Sequence, residues 1–303
     1  MSKIVGIGAC VMDTLITVPN YPKEDTKLRA TSSKIAGGGP TATGIVAASK
    51  LSEDAAYIGV LSTDNGGCFL KDDFIKYNVN VDDIDIIDGY RSFTSVIWLA
   101  EDSASRTCVF DKGNLPPLKL DDKKREAIKN AQVLMIDGNE MDAAEEGCKV
   151  ANENDTTVLY DCGGLYQGVE RLLKLTDVMI PSEEFALGHT KTEDVKEAAK
   201  KLYELYSPKV VVITRGKIGG ILYDGKEFFE YPAFLVKAVD SNGSGDVFHG
   251  AFAAALCKGY DYKKACIFSS AVSAIKCTGY GARESVPSFE TVKSFLKEKN
   301  YEL

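Results

Sequence analysis

A series of short, nearly uninterrupted apolar runs constrains this chain more than any other feature. Ile4–Gly8, Ala55–Val60, Val133–Ile136, Thr157–Tyr160, Asp177–Ile180 and Val210–Thr214 are the runs. They are too short for core helices and read as strands, the most apolar of them covered on both faces. Helical segments lie between them. Thr192–Tyr206, for example, is amphipathic, with Glu193/Lys196 and Glu197/Lys200/Lys201 on a solvated face. This strand–helix–strand rhythm predicts an α/β fold around a mainly parallel sheet. Ligands in such a fold bind where the strand C-termini open. The polar residues that follow the runs are therefore site candidates: Asp13, Asp137 to Glu140, and Asp161. For Asp13 a solvated turn acid is the competing reading.

Residues 91–110 break the rhythm. Ser92–Ala100 and Arg106–Phe110 are β-rich, and Glu101–Ser105 joins them as a hairpin. With strands near 15–18 and 27–35 they predict a small separate sheet. Phe93, Val96, Trp98, Val109 and Phe110 amount to more apolar surface than a free flap carries, so one face is expected to pair with a second copy of the chain. No repeat, low-complexity tract or linker appears. Residues 1–303 thus read as one domain with insertions at about 13–36 and 91–112.

Two glycine-rich loops open directly into small-residue helices. Asp240-Ser241-Asn242-Gly243-Ser244-Gly245-Asp246 leads into Val247–Leu256, and Ala36-Gly37-Gly38-Gly39 leads through Pro40 into Thr41–Leu51. Glycines permit the tight backbone before a helix, and Pro suits its first turn. A helix start offers unpaired N–H groups and a positive dipole end, so phosphate can approach there. Asp246 falls in the first turn beside that anion site, where a carboxylate can take the proton of an attacking hydroxyl. Capping alone also favours an acid there, so the loop by itself leaves both readings open. Arg215–Gly220 is a further glycine turn after a strand, Tyr262–Lys276 reads as a helix, and Cys277–Ala282 as a flexible loop.

The 240–246 stretch resembles the second signature of the ribokinase/PfkB carbohydrate kinases, D-T-x-G-A-G-D, with Ser241 for Thr and Ser244 for Ala. The 36–51 stretch resembles the first, G-G-x-x-x-N, with Gly38 and Gly39 as the pair and Thr43 at the Asn. Thr214–Gly219 is similar to the ATP loop, T-x-G-x-x-G. Tyr21–Asp25 resembles a Y-P-K-E-D segment of ketohexokinases. By these motifs, which come in family order along the whole chain, the sequence resembles a ketohexokinase- or fructokinase-like member. The resemblance implies a ribokinase-like three-layer α/β/α sandwich with a mainly parallel central sheet and a small β-sheet lid. It implies an ATP-dependent sugar kinase using Mg²⁺, with Asp246 as catalytic base and Gly243, Ser244 and Gly245 as the anion hole. Thr214, Gly216 and Gly219, with Gly243 and Gly245, would bind ATP. Asp13, Asp25, Gly38, Gly39, Thr43 and Asp246 would contact sugar, and Arg106, by its place near the hairpin, reads either as a substrate contact or as a solvated turn residue. Loop 277–282 would help hold adenine and a monovalent cation such as K⁺. Family members often carry N-x-x-E where this chain has Ser182 and Phe185, so the protein ligands of the metal are left unassigned. With Arg29 and Arg106 as the only cations near the expected crevice, a neutral, unphosphorylated ketose or pentose is expected.

Charge and residue counts narrow the classes. A net charge of −8 argues against nucleic acid as a partner. No apolar run is long enough to span a membrane, and the start of the chain reads as a first strand, so a cytoplasmic protein is expected. Eight cysteines without C-x-x-C read as buried reduced thiols, and two histidines make a His-rich metal site unlikely. His249, early in an apolar helix, has packing as its plain reading. A third glycine is missing after Gly6-x-Gly8, which weakens a dinucleotide-binding reading. A nucleoside kinase of the same family and a catalytically silent sugar-binding regulator remain as alternatives.

Overall fold

The computed structural model describes residues 2–103 and 105–302. Among them an eight-stranded sheet runs in the order Ala55–Tyr57, Ile4–Ile7, Val133–Ile136, Thr157–Cys162, Val178–Pro181, Val210–Thr214, Gly220–Tyr223, Phe228–Tyr231. The first six strands are parallel, Gly220–Tyr223 runs against them, and Phe228–Tyr231 pairs antiparallel with Gly220–Tyr223. Because side chains alternate along a strand, each apolar run feeds two cores. Ile4, Val133, Met135, Leu159 and Val210 pack against helices Pro40–Lys50, Ser244–Cys257, Tyr262–Lys276 and Phe289–Glu298. Val5, Leu134, Val158, Met179 and Val211 pack against Met141–Asn152 and Val195–Tyr206 on the other face. The result is the expected three-layer α/β/α sandwich.

The expected strand Ala55–Val60 is two strands. Ala55–Tyr57 lies in the central sheet, while Gly59–Ser62 leaves it to pair with Ile84–Ile87. The chain turns where Gly59 makes room for the Tyr57 ring: a Cβ there would lie 2.4 Å from it.

A separate four-stranded sheet runs Ser32–Gly38, Val11–Val18, Thr94–Ala100, Ser105–Asp111. Its register places Ile35, Thr14, Val96 and Val109 in one row, and Ala36, Asp13, Ser95 and Phe110 in the next. Successive rows point to opposite faces. Val96 and Val109 therefore lie on the face that carries Ile35, and Phe110 lies on the face that carries Asp13. Leu15, Ala36 and Ile97 form a small core on the Asp13 face.

All eight cysteines are free, but only Cys10, Cys148, Cys162 and Cys266 are buried. Cys68 and Cys108 are exposed, the latter on the sheet's outermost strand.

The two glycine-loop helices cross in direct backbone contact. A Cβ on Gly250 would lie 2.0 Å from the Gly44 carbonyl oxygen, and one on Gly44 would lie 3.2 Å from the Asp246 carbonyl oxygen. This crossing sets both helix N-termini side by side. Replacing Gly250 by Ala should lower unfolding free energy by about 1–3 kcal/mol, although helix propensity alone favours Ala by about 1 kcal/mol. Urea unfolding measures the balance, and a variant as stable as the wild type would mean that the helices have room to part.

Candidate active site

The helix Ser244–Cys257 begins at Gly243, whose left-handed backbone (φ 72°) turns the chain into it without a side-chain cap. Ser244 N–H donates to Ser241 O at 3.2 Å and Val247 N–H to Gly243 O at 3.0 Å. The N–H groups of Gly245 and Asp246 have no acceptor among the described residues. A Cβ on Gly245 would meet nothing within 4 Å, so its missing side chain leaves the helix mouth open. The loop is tied to residues 277–282: Asp240 accepts from Asn242 N–H (2.8 Å) and Gly281 N–H (2.9 Å), and Val239 N–H donates to Cys277 O (2.7 Å).

A cleft of about 1070 Å³ opens in front of this helix mouth. Ser244 and Gly245 line it, as do Thr214, Gly216 and Gly219 from the turn after Val210–Thr214. Gly216 and Gly219 both have positive φ (54° and 98°). A Cβ on Gly219 would strike Tyr231 O at 2.1 Å, so glycine is required there. Arg106, on the small sheet, also lines the cleft and donates to Asn242 Oδ1 at 2.5 Å. The hairpin thus reaches the loop that leads to Asp246.

Asp246 is half-buried. Burial pushes its carboxyl up to about 7, with Asp161 and Asp137 adding to the rise and His249 and Arg106 opposing it. Burial and the neighbouring Asp137 likewise hold Asp161 well above the usual carboxylate range. His249 Nδ1 lies 2.7 Å from Gly245 O and 3.1 Å from Asp161 Oδ2, and Nε2 lies 3.1 Å from Ile180 O. Burial favours its neutral form. In its neutral form the imidazole has one N–H, so it donates to only one of these two carbonyls, and it sits between the Asp246 helix, Asp161 and the end of the Val178–Pro181 strand.

Asp13, Gly38, Gly39 and Thr43 gather at the start of the other glycine-loop helix. Asp13 is buried and accepts from Ser95 Oγ at 2.6 Å; burial raises its pKa, and Ser95 and Arg283 draw it back. A Cβ on Gly38 would lie 1.9 Å from Asp13 Oδ2. Gly39 (φ 93°) brings its backbone against Ala9 O. Thr43 is fully buried, and its hydroxyl meets Arg283 Nε at 3.5 Å. Asp25 is not brought to this group: it sits exposed, at positive φ (57°), in the connection between Val11–Val18 and Ser32–Gly38.

Arg283 and Lys276, both central to this geometry, escaped the sequence reading, and Asp137, placed at the crevice there, turns out to hold a helix start. Asp137 caps the Pro40–Lys50 helix from across the sheet, accepting from Thr41 N–H (3.0 Å) and Ala9 N–H (2.8 Å). Arg283, 1% exposed, donates to Gly38 O (2.8 Å) and pairs with Asp73 (2.6 Å) beneath the glycine loop. Lys276 bonds the Asp240 turn from its own helix. Asp137 carried a signal, its place just after a strand. Lys276 also carried one, since Phe268, Val272 and Lys276 repeat every four residues on one buried face.

The pfkB family carbohydrate kinase profile matches residues 1–288. The chain belongs to this family. It is 28% identical to the 5-dehydro-2-deoxygluconokinase of Clostridium perfringens, over 99% of this chain and 94% of that protein. It is 26% identical to the ribokinase of Bacillus subtilis, over 98% of this chain and all of that protein. The solved structure of Arabidopsis thaliana ribokinase complexed with ribose and ATP superposes with a TM-score of 0.88 at 23% identity, covering 98% of this chain and 99% of that one. The chain is therefore a sugar kinase. Its departure from N-x-x-E has a local reason. Ser182 caps helix Glu183–Thr190 through Phe185 N–H (3.1 Å), and Phe185 is buried, stacked on His189.

A folded-state pKa raised from about 4 to about 7 makes the protonated form of Asp246 the stable one. Its favourable contribution is full below about pH 4 and is lost as pH rises through about 7. Relative to wild type, Asp246→Asn should therefore gain stability between pH 5 and pH 8. Melting temperatures at the two pH values test this, and a difference that stays constant would mean that Asp246 titrates normally.

Proposed function

We propose that this sugar kinase transfers the γ-phosphoryl group of ATP to a primary hydroxyl of a neutral, unphosphorylated pentose or ketose. One observation carries the reading: two unpaired helix-mouth amides, at Gly245 and Asp246, stand beside a carboxylate whose proton affinity is raised toward neutrality. Phosphoryl transfer needs mainly positioning and charge stabilisation. Asp246 orients the hydroxyl and accepts its proton; a pKa near 7 makes it a better base than an ordinary aspartate. The amides hold charge that builds on the moving phosphoryl oxygens. Thr214, Gly216 and Gly219 let the nucleotide lie against backbone, and Asp13, kept in place by Ser95, accepts from sugar hydroxyls.

Among the described residues no three carboxylate, imidazole or thiol groups gather as a metal cage. Mg²⁺ therefore fits here as an ion carried in by the nucleotide phosphates, which is how it commonly binds, and it would supply charge neutralisation. The contact of Arg106 with Asn242 supports a lid role for the small sheet, which excludes water and so spares ATP from hydrolysis. Exposed Ile35, Val96 and Val109 on the outer face support pairing of two copies through that sheet.

A sugar acid is the second reading, favoured by the name of the C. perfringens relative. Against it stands the engagement of Arg283, whose guanidinium is spent on Asp73 and Gly38. An ADP-release screen of pentoses, ketohexoses, sugar acids, sugar phosphates and nucleosides decides. A pentose or ketose should give the highest kcat/KM, and a sugar acid or sugar phosphate ahead of every neutral sugar would overturn the neutral-sugar reading. With the best substrate, Asp246→Asn should lose about 10²–10⁴-fold in kcat while ATP still binds. Wild-type kcat/KM should fall as pH drops below about 7, because a protonated Asp246 in the free enzyme cannot accept the proton. Near-normal turnover in the variant would refute the assigned role.

A further inference from the structure

Lys276 closes an otherwise apolar helix face and is fully buried. Its ammonium Nζ donates to Asp240 O at 2.8 Å and also to Asn242 O. Both carbonyls belong to the turn that enters Gly243 and the helix mouth. Burial of an ammonium is costly unless its protons find acceptors, and these two carbonyls take two of its three. Burial lowers the Lys276 pKa, while Asp240, Cys277, Asp246 and Glu284 favour the charged form.

A monovalent metal ion at this loop would need the same oxygens. The carbonyls of 240 and 242 already face the ammonium. The Asp240 carboxylate is taken by Asn242 N–H and Gly281 N–H, and Gly281 O accepts from Ser285 Oγ at 2.5 Å. The residues present do not fit a free ion there. We propose that the Lys276 ammonium is a built-in monovalent cation that fixes the Asp240–Asn242 turn, and through it the amides of Gly245 and Asp246, so that this protein needs no dissolved K⁺. Lys276 is a positioning residue: it acts through the turn, and its link to catalysis rests on the kinase reading above.

The test compares wild type, Lys276→Ala and Lys276→Met in potassium, ammonium and tetramethylammonium chloride at equal ionic strength. Thermal unfolding and ADP binding by calorimetry are the readouts. Wild type should show the same melting temperature and ADP affinity in every salt. Lys276→Ala, with an ammonium-sized space vacated, should melt higher and bind ADP more tightly in potassium or ammonium than in tetramethylammonium. Lys276→Met, of similar length without charge, should stay impaired in all three, with a kcat/KM loss on the order of 10²-fold from misplaced amides. A wild type stabilised by potassium over tetramethylammonium would overturn the proposal, as would a folded Lys276→Met with wild-type ADP affinity. If neither variant folds, the wild-type comparison alone decides. Wild type that binds no ADP in any salt would refute the ATP reading instead, and melting temperatures would still judge the cation.

Discussion

The backbone contact between Gly44 and Gly250 governs the geometry of the whole crevice. Two helices that carry side chains at their crossing stand 8–10 Å apart; with glycine on both sides they close until backbone meets backbone. Each helix starts from a glycine turn at the same end of the sheet. Their approach therefore converts two separate helix mouths into adjoining walls of one site. Gly38 and Asp13 sit at one mouth, Gly245 and Asp246 at the other. Nothing in the loops themselves fixes that distance, and the distance decides whether a hydroxyl and a phosphoryl group can meet.

The polar residues under those walls have distinct tasks. Asp137 has its oxygens filled by amides of Ala9, Thr41 and Asn139, so its charge is spent on holding one helix start. Asp161 is buried beside it, with His249 as its near neighbour, and its raised proton affinity follows from having less compensation. Asp246, nearest the cleft, inherits part of that rise. Burial is the first cause of the rise in both Asp161 and Asp246, and neighbouring carboxyls add to it.

The apolar runs revealed most of the architecture because parallel strands buried on both faces need continuous apolar sequence, whereas solvated strands do not. The break at Gly59 was hidden, since it depends on where the Tyr57 ring folds. The hairpin announced its strands but not its faces: Val109 and Phe110 are neighbours in sequence and point oppositely, which only the register with Val96 and Ser95 reveals. Asp246 was legible from its glycines and helix start. Arg283 was not, because its partners, Asp73 and the Gly38 carbonyl, lie more than two hundred residues away. Thr43 shows the same limit, since its hydroxyl is turned to Arg283 inside the protein and a motif position does not disclose which way a side chain faces.

A protein of net charge −8 is a poor long-range attractor of anions. Any nucleotide phosphate must be held by forces that act at contact. In the proposed kinase reaction the unpaired amides of Gly245 and Asp246 are such forces, because they act at hydrogen-bond distance while charges across solvent are screened. Arg106, bonded to Asn242, places a cation at the edge of the cleft. Lys276 adds one that cannot leave. The amides gain nothing from distant attraction, so their placement has to be exact to a fraction of a hydrogen-bond length, and the chain invests a buried ammonium, an Asp240 turn and the Val239–Cys277 backbone bond in that placement.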